Sequence, residues 1–253
     1  MLYSPLEQFD ILSVINLKLL NFDFSITNFL LINLLVLIIY RYFIVYNSSN
    51  NNYLQEISFY LYPHAWQKCI ESISEIVLQI ISDIINENNE RYFPFISVLF
   101  NFILFSNLIG LIPYSFTVTS HLIITFTLSF SVFIGINVLT FKKYKLKTFS
   151  LFLPSNTTFF LALLLVPIEF LAYIAKPIGL GVRLFINLMA GHSLLKVIVG
   201  FSWSILLFES FTSIGLLVPM IILVILFGLE LGVAFIQTYV FIMLTCIYIQ
   251  DGN

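Results

Sequence analysis

Arg183 sits inside residues 158–200, a stretch that is otherwise almost wholly apolar. An ionisable side chain at bilayer depth costs about 3 kcal/mol or more, so it marks an ion or substrate pathway by default. At 100° per residue, Glu169, Ala172, Lys176, Gly179, Arg183, Asn187 and Ala190 share one helical stripe. Polar groups alternate there with small residues, so another surface can slide close past it. His192 falls on the opposite face and belongs to a second contact. A second apolar run carries Glu209, Glu230 and Gln237, the last two on one face. The sequence holds no phosphate loop, nucleotide fingerprint or nucleophile–base constellation. The chemistry these residues suit is charge transport through a membrane.

The composition agrees. Of 253 residues, 60% are hydrophobic and only 9% charged, with a mean hydropathy of +1.02; a soluble core of this size needs a far more polar shell. The net charge of −2 says little, because placement of the charges matters more than their sum. Glu7, Asp10, Lys18 and Asp23 interrupt the start of the chain, which has no basic segment followed by a compact apolar core, so no cleavable signal peptide is expected. Cys69 and Cys246 lack metal-type spacing and read as incidental.

These observations predict an all-α integral membrane protein forming a single membrane domain over residues 1–253. It has five membrane helices plus one surface amphipathic helix, the last two membrane helices being long and tilted as a hairpin. Residues 1–27 are mixed and mildly acidic, a short segment at the first interface. The first span covers residues 28–43 and ends on the interfacial anchor Tyr40, Arg41 and Tyr42, before a polar linker from Tyr46 to Tyr53. In residues 63–86, Trp66, Ile70, Ile73, Val77, Ile80 and Ile84 recur in steps of four and three, with Gln67, Lys68, Glu71, Glu75, Gln79 and Asp83 elsewhere on the wheel. This amphipathic helix is too polar to span; it lies on the membrane surface or packs on a partner subunit. Residues 86–90 break the pattern. Spans at 92–111 and 121–141 follow, joined by a turn at Pro113-Tyr114-Ser115. Asn101 and Asn107 read as interhelical hydrogen-bonding groups, and His121 as an interfacial histidine.

After Leu153-Pro154-Ser155-Asn156 come the two long runs, 158–200 and 205–250, separated by Phe201-Ser202-Trp203-Ser204. Each is roughly 60 Å long as helix, twice the hydrocarbon thickness. Neither contains a charged loop that would mark a turn in water, although Pro177, Gly179 and Gly181 can kink the first. Threading the spans puts Arg41, Lys68, Arg91, Lys142, Lys143, Lys145 and Lys147 on one side, while the loop at 112–120 is uncharged. The positive-inside rule makes the lysine side cytoplasm or matrix and leaves the N-terminus outside. Five crossings return the C-terminus to the lysine side.

Lys176-Pro177, Arg183-Leu184-Phe185-x-Asn187-x-x-Ala190-Gly191-His192 and the pair Glu230 and Gln237 form a specific pattern. With Ser4-Pro5-Leu6-Glu7-Gln8-Phe9, Trp66-Gln67 and Asn107-Leu108-Ile109-Gly110-Leu111-Ile112-Pro113-Tyr114-Ser115, it resembles the subunit a family of F-type ATP synthases along the whole chain. Histidine at 192 with glutamate at 230 matches the mitochondrial members, where bacterial ones reverse the two chemistries. Ile186 departs from the pattern, standing where the family has a small residue, about 60° round the helix from Arg183.

The resemblance implies a proton-translocating stator facing a ring of c subunits, with other Fo and peripheral-stalk subunits as partners. It implies the mitochondrial inner membrane, with the N-terminus in the intermembrane space and the C-terminus in the matrix. It implies no cofactor, no nucleic acid and no catalysis by this chain alone. Two half-channels lead to the ring, and Arg183 separates them. Glu169 suits the matrix outlet and His192 the intermembrane inlet, while Asn187 and Gln237 are neutral hydrogen-bonding groups near the arginine. Lys176 either snorkels to the interface or takes part in transport. Lys196 and Glu209 flank the hairpin turn and can pair there. If Gln237 sits opposite Arg183, His192 lies about 13 Å outward on one helix and Glu230 about 10 Å along its antiparallel neighbour, so the two are expected to meet.

Two other readings compete. A secondary transporter also carries buried charge near the midplane, but it usually shows internal repeats and the arginine motif has no second copy here. A purely structural membrane subunit must treat a buried Arg, His and two Glu as assembly contacts, which is costly.

Overall fold

A backbone in hydrocarbon must satisfy its own polar groups, so long apolar runs fold as helices. The computed structural model describes residues 7–19, 22–49, 65–85, 91–112, 115–145, 159–207 and 213–251. Among the described residues, six α-helices carry the fold: α1 (Asn28–Ser49), α2 (Ala65–Ile85), α3 (Phe93–Gly110), α4 (Leu122–Tyr144), α5 (Phe159–Leu207) and α6 (Ser213–Asp251). Four of these, α3 to α6, are long and apolar enough to cross a membrane, and α1 contains a shorter apolar stretch, Asn28–Tyr42. The chain is a helical membrane protein. Residues 4–6, 50–53 of the expected linker, 86–90, Pro113, Tyr114, Lys147, residues 153–156 and Glu209 lie outside the described residues.

Ahead of α1, a short 3-10 turn (Glu7–Phe9) is followed by four small strands. Strands β1 (Ser13–Ile15) and β4 (Ile26–Thr27) pair antiparallel, as do β2 (Lys18–Leu19) and β3 (Phe22–Asp23). This small hairpin departs from an all-α fold, and Asn28 ties it to α1. Its Oδ1 accepts from the Phe29 and Leu12 amides at 2.8 and 3.2 Å, and its Nδ2 donates to the Asp10 carbonyl at 3.1 Å. The Thr27 hydroxyl accepts from the Leu30 amide at 3.4 Å, an N-cap that starts α1.

Two helices run further than the sequence reading put them. Helix α1 continues through Asn47, Ser48 and Ser49 instead of ending at residue 43. Helix α5 runs unbroken past Phe201-Ser202-Trp203-Ser204 to Leu207. The Ser202 and Ser204 hydroxyls donate to the carbonyls of Val199 and Phe201, both at 2.7 Å, so these serines satisfy themselves inside a helix and do not end it. Asn101 likewise bonds back one turn, to the Ser97 carbonyl at 2.9 Å, and not to another helix.

The core forms where α2, α3, α4, α5 and α6 converge. Val77, Ile80, Ile81 and Ile85 of α2 pack with Ile96, Leu99, Ile103, Phe241, Ile242 and Cys246. The apolar stripe of the amphipathic helix is thus buried against α3 and α6 of its own chain, with Lys68, Glu71, Glu75, Gln79 and Asp83 exposed. On the far side, α1 touches α3 and leaves Leu30, Leu31, Leu34, Leu35 and Ile38 exposed, as a lipid-facing helix does.

Helices α4 and α5 approach closely at Gly181. A Cβ there would lie 2.9 Å from Ser129 Oγ and 3.2 Å from the Thr125 carbonyl oxygen. Only glycine admits that crossing, two residues before Arg183.

Candidate functional site

The stripe on α5 faces away from the bundle. Glu169, Ala172, Gly179, Arg183 and Ala190 are exposed, and Lys176 and Asn187 are partly buried at its edge. A Cβ on Gly179 would meet nothing within 4 Å. Ile186 is 50% exposed on the same side and stands proud of these small residues. Among the described residues, neither Arg183 nor Glu169 has an ion-pair or hydrogen-bond partner.

Lys176 is held differently. Its Nζ lies 5.9 Å from the ring centroid of Tyr173 and 5.2 Å from that of Tyr248, a cation–π setting between α5 and α6. The Tyr173 hydroxyl donates to Asn137 Oδ1, tying α5 to α4. Neither tyrosine nor Asn137 stood out in the sequence, since aromatics are abundant and their partners lie on other helices.

Helix α5 also meets α6 through polar groups. Asn187 Nδ2 donates to Gln237 Oε1 at 3.0 Å. His192 Nδ1 lies 3.4 Å from Glu230 Oε1, with both side chains at 10% exposure or less. The register assumed from Arg183 is therefore shifted: Gln237 bonds Asn187, one turn nearer His192. From that anchor His192 is about 7.5 Å away and Glu230 about 10 Å. The mismatch of roughly 3 Å keeps its size and changes sign, and two long side chains bridge it.

Two residues the sequence did not mark for function complete this group. Asn107 of α3 is fully buried and its Nδ2 donates to Thr238 Oγ1 at 3.4 Å. Asn107, Asn187, Glu230 and Gln237 line one small cavity between α3, α5 and α6. Gly191 makes room for the carboxylate, since a Cβ there would sit 2.8 Å from Glu230 Oε1. Its place beside His192 in the motif was the available signal. Both Glu230 oxygens, Gln237 Nε2, Asn107 Oδ1 and His192 Nε2 are buried without a hydrogen-bond partner among the described residues.

His121 stands at the N-cap position of α4 without a side-chain cap hydrogen bond and packs against the rings of Phe116 and Phe29, centroids 5.0 and 6.5 Å away. It takes no part in the α5–α6 cluster.

A helical membrane bundle whose long helix carries an exposed arginine, without an ion-pair partner among the described residues, and buries a His–Glu–Gln–Asn group against the next helix is the arrangement of an ion-translocating membrane subunit. The comparisons with known proteins agree. The chain belongs to the ATP synthase A chain family, whose model matches residues 29–250. It is 44% identical to the ATP synthase subunit a of Marchantia polymorpha, covering 98% of this chain and 97% of that one. It shares 44% identity with the ATP synthase subunit a of Chondrus crispus over 98% of this chain and 95% of the other, and 44% with that of Pylaiella littoralis over 100% and 98%. As a member, the chain is a proton-translocating stator subunit of the ATP synthase, coupling proton flow to rotation and ATP synthesis. It works with other Fo subunits such as the c-ring and is not catalytic by itself.

Proposed function

We propose that Arg183 is the electrostatic divide between two proton half-channels, and that the exposed stripe of α5 is the surface past which the c-ring turns. The observation that carries this is the exposure of Arg183 without a counter-ion among the described residues, flanked by Gly179 and Ala190. Its partner then comes from outside, and a passing ring carboxylate supplies the complementary charge. A guanidinium cannot be deprotonated at working pH, so it cannot relay a proton between the channels. Its charge favours the ionised carboxylate, so the proton must leave before the carboxylate passes. The membrane potential contributes about 2.3 kcal/mol per charge per 100 mV to each transfer.

The remaining site residues take roles by depth. His192 and Glu230 form the inner end of the inlet path, and Glu169 stands on the outlet path. Asn187 and Gln237 hold the α5–α6 interface beside the arginine. The whole chain forms a single membrane domain with five crossings: α1, α3, α4 and the long, tilted hairpin of α5 and α6, with α2 lying at the surface. The positive-inside pattern of Arg41, Arg91, Lys142, Lys143 and Lys145 supports an N-terminus in the intermembrane space and a C-terminus in the matrix of the mitochondrial inner membrane. Peripheral-stalk subunits complete the surroundings.

The test is Arg183→Ala in the assembled complex. ATP synthesis driven by a proton gradient is expected to be lost while the complex still assembles. Arg183→Lys is expected to do poorly as well, because an ammonium, unlike a guanidinium, can give up its proton in a dry site. A fully assembled Ala variant making ATP at near-normal rates removes Arg183 from this role.

A further inference from the structure

At the lysine-bearing end of α4, the ends of α3, α4 and α6 enclose a cavity of about 170 Å³. Ile136 and Ile249, both buried, form its apolar floor, and the exposed Leu139 completes the lining with Thr140, Lys142, Lys143 and Tyr92. Among the described residues lining it, none is acidic.

We propose that this cavity seats the phosphate of an anionic phospholipid, with an acyl chain leaving along α4. Two adjacent ammonium groups and a phenol offer the donors and positive charge that a phosphodiester needs, and lysines at a membrane interface attract anionic headgroups. The apolar lining distinguishes lipid from a free anion, because inorganic phosphate gains nothing from Ile136, Leu139 and Ile249. The path outward is also apolar and open. Gly135, Leu139 and Lys142 follow one another along one side of α4, all exposed, and a Cβ on Gly135 would meet nothing within 4 Å. Leu139 and the open space at Gly135 continue the apolar side of α4 from the cavity toward the middle of the helix, which begins thirteen positions before Gly135 at Leu122. This inference rests on α3, α4 and α6 crossing the membrane, and not on the role of Arg183.

The test uses the intact ATP synthase in its native membrane and a photoactivatable phosphatidylglycerol. Adducts are expected on α4 from Gly135 to Lys143 and at Tyr92, several-fold above those from a phosphatidylcholine carrying the same chains. Unlabelled phosphatidylglycerol should displace the label, and excess inorganic phosphate should not. The pair Lys142→Gln and Lys143→Gln should erase the preference for the anionic lipid, while Lys145→Gln, outside the cavity, should keep it. Equal labelling by the two lipids overturns the proposal. So does displacement by inorganic phosphate, which indicates a free-anion site, or a segment of another subunit crosslinked into the cavity. If the double lysine variant fails to assemble, the competition on the unaltered complex decides.

Discussion

Gly191 lies directly beneath the carboxylate of Glu230: a Cβ on the glycine would come within 2.8 Å of Oε1 and 3.1 Å of Cδ. The absence of a side chain on α5 sets where the acid of α6 rests. Gly191→Ala should therefore displace Glu230 from His192, at a cost of about 1–3 kcal/mol if the neighbours give way only partly. Proton-driven ATP synthesis should fall about tenfold, the activity equivalent of 1.4 kcal/mol. Rates measured on equal amounts of assembled complex check this, and an unchanged rate means that the seat of Glu230 does not matter.

The contact between His192 and Glu230 predicts coupled behaviour. The two substitutions His192→Ala and Glu230→Ala should be non-additive by roughly 0.5–3 kcal/mol in a double-mutant cycle on proton flux. Exchanging the pair, with His192→Glu and Glu230→His together, should restore more flux than either single change leaves. A double exchange no better than its worse single member, with cysteines at 192 and 230 that never crosslink, removes the pairing from the mechanism.

Thr238 is the buried partner of Asn107, and it also donates to the Ala234 carbonyl at 2.9 Å. Thr238→Val keeps the shape and removes the hydroxyl, leaving the Asn107 amide buried and unpaired. The purified complex should lose about 1–3 kcal/mol at this site. Thermal release of this subunit reports the loss, and adding Asn107→Leu should recover part of it because both polar partners are then gone. No recovery means the two residues act independently.

Helix α2 offers a topological test. Cys69 is exposed, and Gln79 is exposed on the same helix. In a Gln79→Cys variant both thiols should react with an impermeant reagent added to the same side of the membrane. Labelling of the two from opposite sides shows that α2 crosses, against the single-surface placement.

Much of this arrangement was legible in the residues because it depends on one helix at a time. The α5 stripe follows from 100° steps through Glu169, Lys176, Arg183 and Asn187, and the apolar face of α2 from Ile73, Val77 and Ile80. What the sequence concealed depends on partners. Asn101 and Asn107 look alike six residues apart, but one bonds its own helix and the other reaches Thr238, 131 positions away. Ser202 and Ser204 resemble loop residues until their hydroxyls find carbonyls of the preceding turn. The β1–β4 pairing escaped notice because its strands are only two or three residues long, too short for alternation to register.

The exposure of Arg183 has a consequence for how the subunit comes into being. Before it meets a partner, each new copy presents a permanent cation to lipid, at a cost of about 3 kcal/mol or more. Association that brings a carboxylate alongside relieves that cost, so the side chain proposed as the divide between the half-channels also rewards correct assembly. An orphaned copy cannot discharge the burden by losing a proton, as a lysine could. It carries its own mark of incompleteness until the rotor arrives.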